Sequence, residues 1–141
     1  MLAGTWRIIA VNNTGVAFGA ADTITVTARK WKINGSTGVL EYDASAPVTV
    51  LPGTSGNSLA IGGIAAPASP VDNTTDLFFG ADLDIEVVLS TTSPSGNVDF
   101  YLQTTANSTT PQWPDDASNF GEIKRSLNFT AAGTQKANAR I

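Results

Sequence analysis

The chain predicts an all-β fold, an antiparallel β-sandwich or jelly roll of about eight to ten strands, on three observations. Apolar and polar residues alternate with period two along many short segments, whereas a period of 3.6 never persists beyond a turn or two. Clusters of Gly, Asn, Ser and Pro punctuate those segments. Charged residues make up only 14% of the chain against 42% hydrophobic, and Ser, Thr, Asn, Gly and Ala take the place of the Leu, Glu, Lys and Arg that sustain long helices. At 141 residues the chain can close one core without metals or disulfides, so a single domain over 1–141 is expected.

The first expected strand is TWRIIAV, Thr5 to Val11, turned by NNTG. The second, ITVTARKWKI from Ile24 to Ile33, places Ile24, Val26 and Ala28 on one face and then Trp31 and Ile33 in the opposite phase. A bulge near Arg29 and Lys30 would restore the register. NGSTG, Asn34 to Gly38, carries the Asn-Gly hairpin signal, so VLEYD, Val39 to Asp43, should pair back onto the second strand. PVTVL (Pro47 to Leu51) and SLAIGGI (Ser58 to Ile64) read as strands on either side of a turn-rich PGTSGN.

Paired glycines, two prolines and small residues make Gly62 to Asn73 an extended surface loop, bounded at about 62–75. Such a loop is either a flexible arm or a segment ordered by a partner. Asp76 to Thr92 is long enough for one bent strand or two, with Gly80 at the bend. Beyond SPSGN, the segment VDFYLQTT points Val98, Phe100 and Leu102 one way and Asp99, Tyr101 and Gln103 the other. IKRSLNFT (Ile123 to Thr130) and QKANARI (Gln135 to Ile141), separated by AAGT, suggest a closing hairpin.

Composition also excludes chemistry. The chain has no cysteine and no histidine, which removes disulfides, thiolate zinc sites, cysteine nucleophiles, serine triads and HExxH centres. Carboxylate pairs, Lys, Tyr or a cation held by oxygens remain. The net charge is -4 and the pI about 4.5, and no basic run exceeds ARK and EIKRS, so no nucleic-acid partner is expected. The N-terminal segment shows no basic region followed by an apolar core, and no apolar stretch is long enough to span a bilayer, so neither a signal peptide nor a membrane partner is expected.

Asp82, Asp84 and Glu86 alternate with Leu83, Ile85 and Val87, which lines all three carboxylates along one strand face. A calcium site needs ligands converging from several loops, and a glycosidase needs carboxyls across a cleft. A solvated face opposite cations such as Lys30 and Lys32 fits the pattern better. In QWPDDASNF, the adjacent Asp115 and Asp116 suit turn chemistry. Trp113 beside them can cover the end of the core, anchor a protein interface or lie against a sugar ring. Trp6 and Trp31 sit in strand patterns beside aliphatic residues and are expected in the core. No catalytic residue, metal ligand or cofactor is assigned. The candidate contact residues, for protein or glycan, are Trp113, Asp115, Asp116, Tyr101, Pro67 and Pro70.

The segment from Asn97 to Ile141 contains an FYLQT strand, a polar tip with WPDD, an LNF strand and a short final strand. In that order it resembles the closing strands of virion structural proteins of tailed bacteriophages. The resemblance covers about the last third of the chain. It implies a non-enzymatic subunit of the particle, a capsid decoration or cement protein on the capsid exterior. Such a subunit binds the major capsid protein and copies of itself, with a homotrimer favoured. Two alternatives stand beside it: a carbohydrate-binding module using Trp113 and Tyr101 as stacking platforms with Asp115 and Asp116 accepting sugar hydroxyls, and a tail tube or tail-adaptor subunit.

Overall fold

In the computed structural model, residues 4–75, 77–90, 94–105 and 122–141 are described. Ten strands lie among them: β1 (Thr5–Asn13), β2 (Thr23–Ile33), β3 (Leu40–Tyr42), β4 (Val48–Leu51), β5 (Ile64–Ala65), β6 (Val71–Asp72), β7 (Gly80–Leu89), β8 (Gly96–Thr105), β9 (Glu122–Phe129) and β10 (Gly133–Arg140). They form two five-stranded sheets. The first runs β5-β1-β8-β9 with β6 also on β1, and the second β10-β7-β2-β3 with β4 also on β2. Every pairing is antiparallel. The architecture is the β-sandwich that period-two alternation predicts.

The core is the sum of the inward phases. Trp6, Ile8 and Ala10 of β1, Val98 and Phe100 of β8, and Leu127 and Phe129 of β9 pack against Ile24, Val26 and Ala28 of β2 and Leu83, Ile85, Val87 and Leu89 of β7. Each large side chain so buried is worth about 1.5–3 kcal/mol relative to exposure. On β1 the opposite phase is buried too, at Ile9 and Val11. A central strand covered on both faces reads as a continuous apolar run, here Ile8 to Val11.

Three buried polar side chains replace missing backbone partners where the chain leaves the sheets. Asn12 donates from Nδ2 to the carbonyl oxygens of Val16, Leu59 and Ala60. Its Oδ1 accepts from the backbone N–H and hydroxyl of Thr14. Asp22 accepts from the N–H of Gly19 and from both the N–H and hydroxyl of Ser90, which ties the turn before β2 to the end of β7. Asn73 brackets Phe78, accepting from its N–H and donating to its carbonyl. Buried side chains of this kind persist only when their hydrogen bonds are made, so they mark fixed corners.

The expected pairing of β3 back onto β2 forms, with Trp31↔Tyr42, Lys32↔Glu41 and Ile33↔Leu40 in register. The turn takes its positive φ at Gly38 rather than at Asn34-Gly35, with Asn34 Oδ1 accepting from the N–H groups of Ser36 and Thr37. Four expectations need correction. Of the expected strand Ser58 to Ile64 only Ile64 lies in one, as the start of β5: Ser58 and Gly62 have positive φ, and the carbonyls of Leu59 and Ala60 serve Asn12 rather than a ladder. The 62–75 segment keeps a mostly exposed surface connection at 66–70 but is not a free arm. β5 and β6 both pair with β1, and Asn73 N–H bonds to the Gly4 carbonyl, so β1 itself orders it. No bulge falls at Arg29 and Lys30, because β2 pairs with β7 without a slip from Thr23 to Trp31. The irregularity lies on the other edge of β2, between Val26 and Thr27 against β4.

Finally, β9 and β10 do not pair as a hairpin. β9 joins β8 and β10 joins β7 along eight residues. Splitting the pair between sheets lets Leu127 and Phe129 enter the core from one side and Ala137 from the other.

Candidate functional site: the outer face of the second sheet

Because β7 alternates, its inward residues Leu83, Ile85 and Val87 leave Asp82, Asp84 and Glu86 on the outer face. Register then decides their partners. On one side β10 brings Arg140, Asn138 and Lys136 opposite them in that order, and on the other β2 brings Arg29, Thr27 and Thr25. Arg140 donates from Nε to Asp82 Oδ1 at 2.5 Å and from Nη2 to Oδ2 at 2.9 Å. Asn138 Nδ2 donates to Asp84 at 3.0 Å, and the Lys136 ammonium lies 2.5 Å from Glu86. Thr25, Thr27, Asp84, Glu86, Lys136 and Asn138 line a shallow depression of about 350 Å³.

The expected cation partners, Lys30 and Lys32, belong to the opposite phase of β2 and do not face this row. Lys30 instead forms an ion pair with Asp43 at 3.4 Å, and both lysines lie over the Phe78 ring.

The row changes character toward β3. The missing bulge leaves Arg29, Trp31 and Ile33 in the outer phase, and the hairpin sets Tyr42 beside Trp31 and Leu40 beside Ile33. Trp31, expected in the core, is therefore half-buried on the outside. Its indole lies on Gly80, its cross-strand partner, where any Cβ would be driven into the ring and into the Ile141 carbonyl oxygen. An aromatic side chain laid across a strand glycine shields the bare backbone that glycine leaves. Arg140 sits on the Trp31 ring at 5.6 Å from its centroid.

Tyr42 donates its hydroxyl to Asp82 Oδ2 at 2.5 Å and accepts from Arg140 Nη2 at 3.4 Å. Its own ring is covered by the Arg29 guanidinium, 4.8 Å from the centroid. Trp31, Arg140, Asp82, Tyr42 and Arg29 thus form one connected network. The Arg140 hydrogen bonds, helped by that from Tyr42, hold the Asp82 carboxyl below its ordinary value. The same bond to Asp82 raises the Tyr42 phenol. Ile33 and Tyr42 are each 39% exposed, so this end of the face presents apolar surface to solvent.

The other candidate residues fall elsewhere. Tyr101 is half-buried on β8, opposite Ile9, and burial, then the Asp99 charge, raises its phenol pKa. Asp99 is held by Asn13 Nδ2 at 2.8 Å and by the Ser126 hydroxyl. Pro67 is buried and Pro70 half-buried in the connection between β5 and β6, with β1 lying between that edge and β8. Trp113, Asp115 and Asp116 lie outside the described residues. Among the described residues no group of three acidic side chains is placed to hold a metal ion.

Sequence reasoning passed over Arg29, Tyr42 and Arg140. The odd-phase run Arg29, Trp31, Ile33 was the available signal. Arg140, 58 residues from Asp82, has no local signal. Comparison with known proteins finds no matching family model, curated protein or solved structure.

Proposed function

We propose that the chain is a non-enzymatic structural subunit of a phage virion, a capsid decoration protein that stabilises the shell by binding the major capsid protein. One observation carries the docking role: at the β3 end of the second sheet the outer face turns from a row of paired charges into exposed Tyr42 and Ile33, framed by arginine. Aromatic side chains and arginine are among the residue types enriched at protein interfaces. The acidic row supports the same reading, since Asp82, Asp84 and Glu86 are each engaged by a side chain of β10. Neighbouring carboxylates so occupied serve the surface rather than acid–base catalysis.

The resemblance of the last third of the chain to tailed-phage virion proteins supplies the setting. Homo-oligomerisation, as a trimer, would let several modest contacts add through avidity. Particles grown with and without the chain test the proposal. Loss of the chain is expected to lower the temperature at which shells rupture and to sensitise them to low salt. Equal resistance of both kinds of particle overturns the cementing role.

A further inference from the structure

We infer that Arg29, stacked on Tyr42 at the β3 end of the outer face, is the seat for a carboxylate presented by the protein partner. The surface this chain docks onto is then acidic, with apolar contact alongside. The inference rests on the docking role proposed above and adds the chemistry of the partner.

Arg29 is opposite Asp82 in the ladder, and an arginine so placed would ordinarily pair with it. Asp82 is already occupied. Arg140 takes both oxygens, and the Tyr42 hydroxyl adds a third donor. Among the described residues Arg29 makes no hydrogen bond or ion pair, and its contact is the stack on Tyr42 at 4.8 Å. Arg140, Lys136 and Lys30, by contrast, each meet a carboxylate.

A guanidinium carries five N–H donors in its plane, and because Arg29 is exposed and makes no hydrogen bond among the described residues, its donor edge is open to a partner. That edge matches a carboxylate bidentately. The seat is also pre-organised, because Asp82 holds the Tyr42 hydroxyl and thereby the ring on which Arg29 rests. Less side-chain freedom is then lost on docking. Exposed Ile33, two residues along the same face, supplies the apolar neighbour. A nucleic acid is the poorer occupant, since a phosphate backbone needs a row of cations and Arg29 stands on this face beside the acidic row of Asp82, Asp84 and Glu86.

Shells grown without the chain, titrated with purified protein, provide the test. Arg29→Ala is expected to weaken binding at least tenfold. Arg29→Lys should fall between, keeping the charge without the fork, and Arg29→Glu should bind least. Arg125→Ala, which removes an equal charge from the exposed β9, should bind as wild type. Raising salt should weaken the wild type more than Arg29→Ala. Since Arg29 is exposed, the thermal midpoints of Arg29→Ala and Arg29→Lys should stay near wild type, which separates docking from folding, whereas Arg29→Glu sets a like charge opposite Asp82 and should melt somewhat lower. If wild type binds shells and Arg29→Ala and Arg29→Glu bind equally well, the carboxylate seat is overturned while the decoration role stands. If wild type does not bind shells at all, both fall. Self-association of the free protein that disappears in Arg29→Ala would assign the seat to a second copy and overturn the acidic partner.

Discussion

The two ends of the second sheet's outer face belong to one continuous sheet and behave as opposites. Beside β10, acids and their partners meet row by row: Glu86 with Lys136, Asp84 with Asn138, Asp82 with Arg140. At the β3 end the rows finish in Trp31, Tyr42, Leu40 and Ile33, and Arg29 lies over a ring instead of a carboxylate. Cross-strand pairs between exposed charges keep water close and contribute little net free energy. Exposed apolar surface beside an unpaired cation leaves interaction free energy unspent, available to whatever docks. Asp82 joins the two ends, closing the ladder with Arg140 while fixing Tyr42 for Arg29.

The most damaging way to break the contrast is to remove the support under Trp31. Gly80→Ala forces a methyl into the indole and the Ile141 carbonyl, and should cost about 1–3 kcal/mol, the range for overpacking a filled site. Urea midpoints read it directly. Gly35→Ala, at a hairpin position where an added Cβ meets nothing within 4 Å, should stay within about 0.5 kcal/mol of wild type. An equal loss at both glycines would mean that Trp31 does not depend on Gly80.

A smaller effect comes from pH. Asp82 is held below its ordinary 3.8 by Arg140 first and Tyr42 after it, so its folded-state pKa is depressed relative to the unfolded chain. Its contribution to stability is therefore complete above the unfolded value of about 3.9 and is lost as pH falls through the lower folded value. Asp43, held low by the Ser45 backbone, and Asp72, held low by the Thr74 hydroxyl, act in the same direction. Asp82→Asn should flatten the acid limb of a stability profile without abolishing it. A carboxyl titration by NMR that places Asp82 at or above the ordinary value would contradict the network.

Least of all should follow from the β10 end. Lys136→Ala breaks a pair whose side chains are 71% and 41% exposed, and no measurable change in midpoint is expected. A clear loss there would show that the ladder holds the edge strand in place and is more than a solvated row.

Much of this was legible in the sequence because period-two alternation is a local signal. The inward phases of β7 and β8, that of β2 as far as Ala28, and the shared face of Asp82, Asp84 and Glu86 follow from it directly, and NGSTG marks the turn that pairs β3 with β2. The same locality explains the failures. Trp31 looks like core when a bulge is assumed, but continuous pairing of β2 with β7 keeps it outside. Ser58 to Ile64 looks extended until the distant Asn12 takes its carbonyls. The last two strands look like a hairpin until each finds a longer neighbour in a different sheet.

By itself the sequence determined the all-β class, the alternating faces of β7 and β8, the β2–β3 hairpin, and the lack of histidine and cysteine chemistry, because these depend on residue identity and spacing alone. Only the tertiary structure decided which strands are neighbours. That choice gave Arg140 to Asp82, Trp31 to Gly80 and Tyr42 to Arg29, since cross-strand partners are set by packing two sheets around one core and by register between segments far apart in the chain.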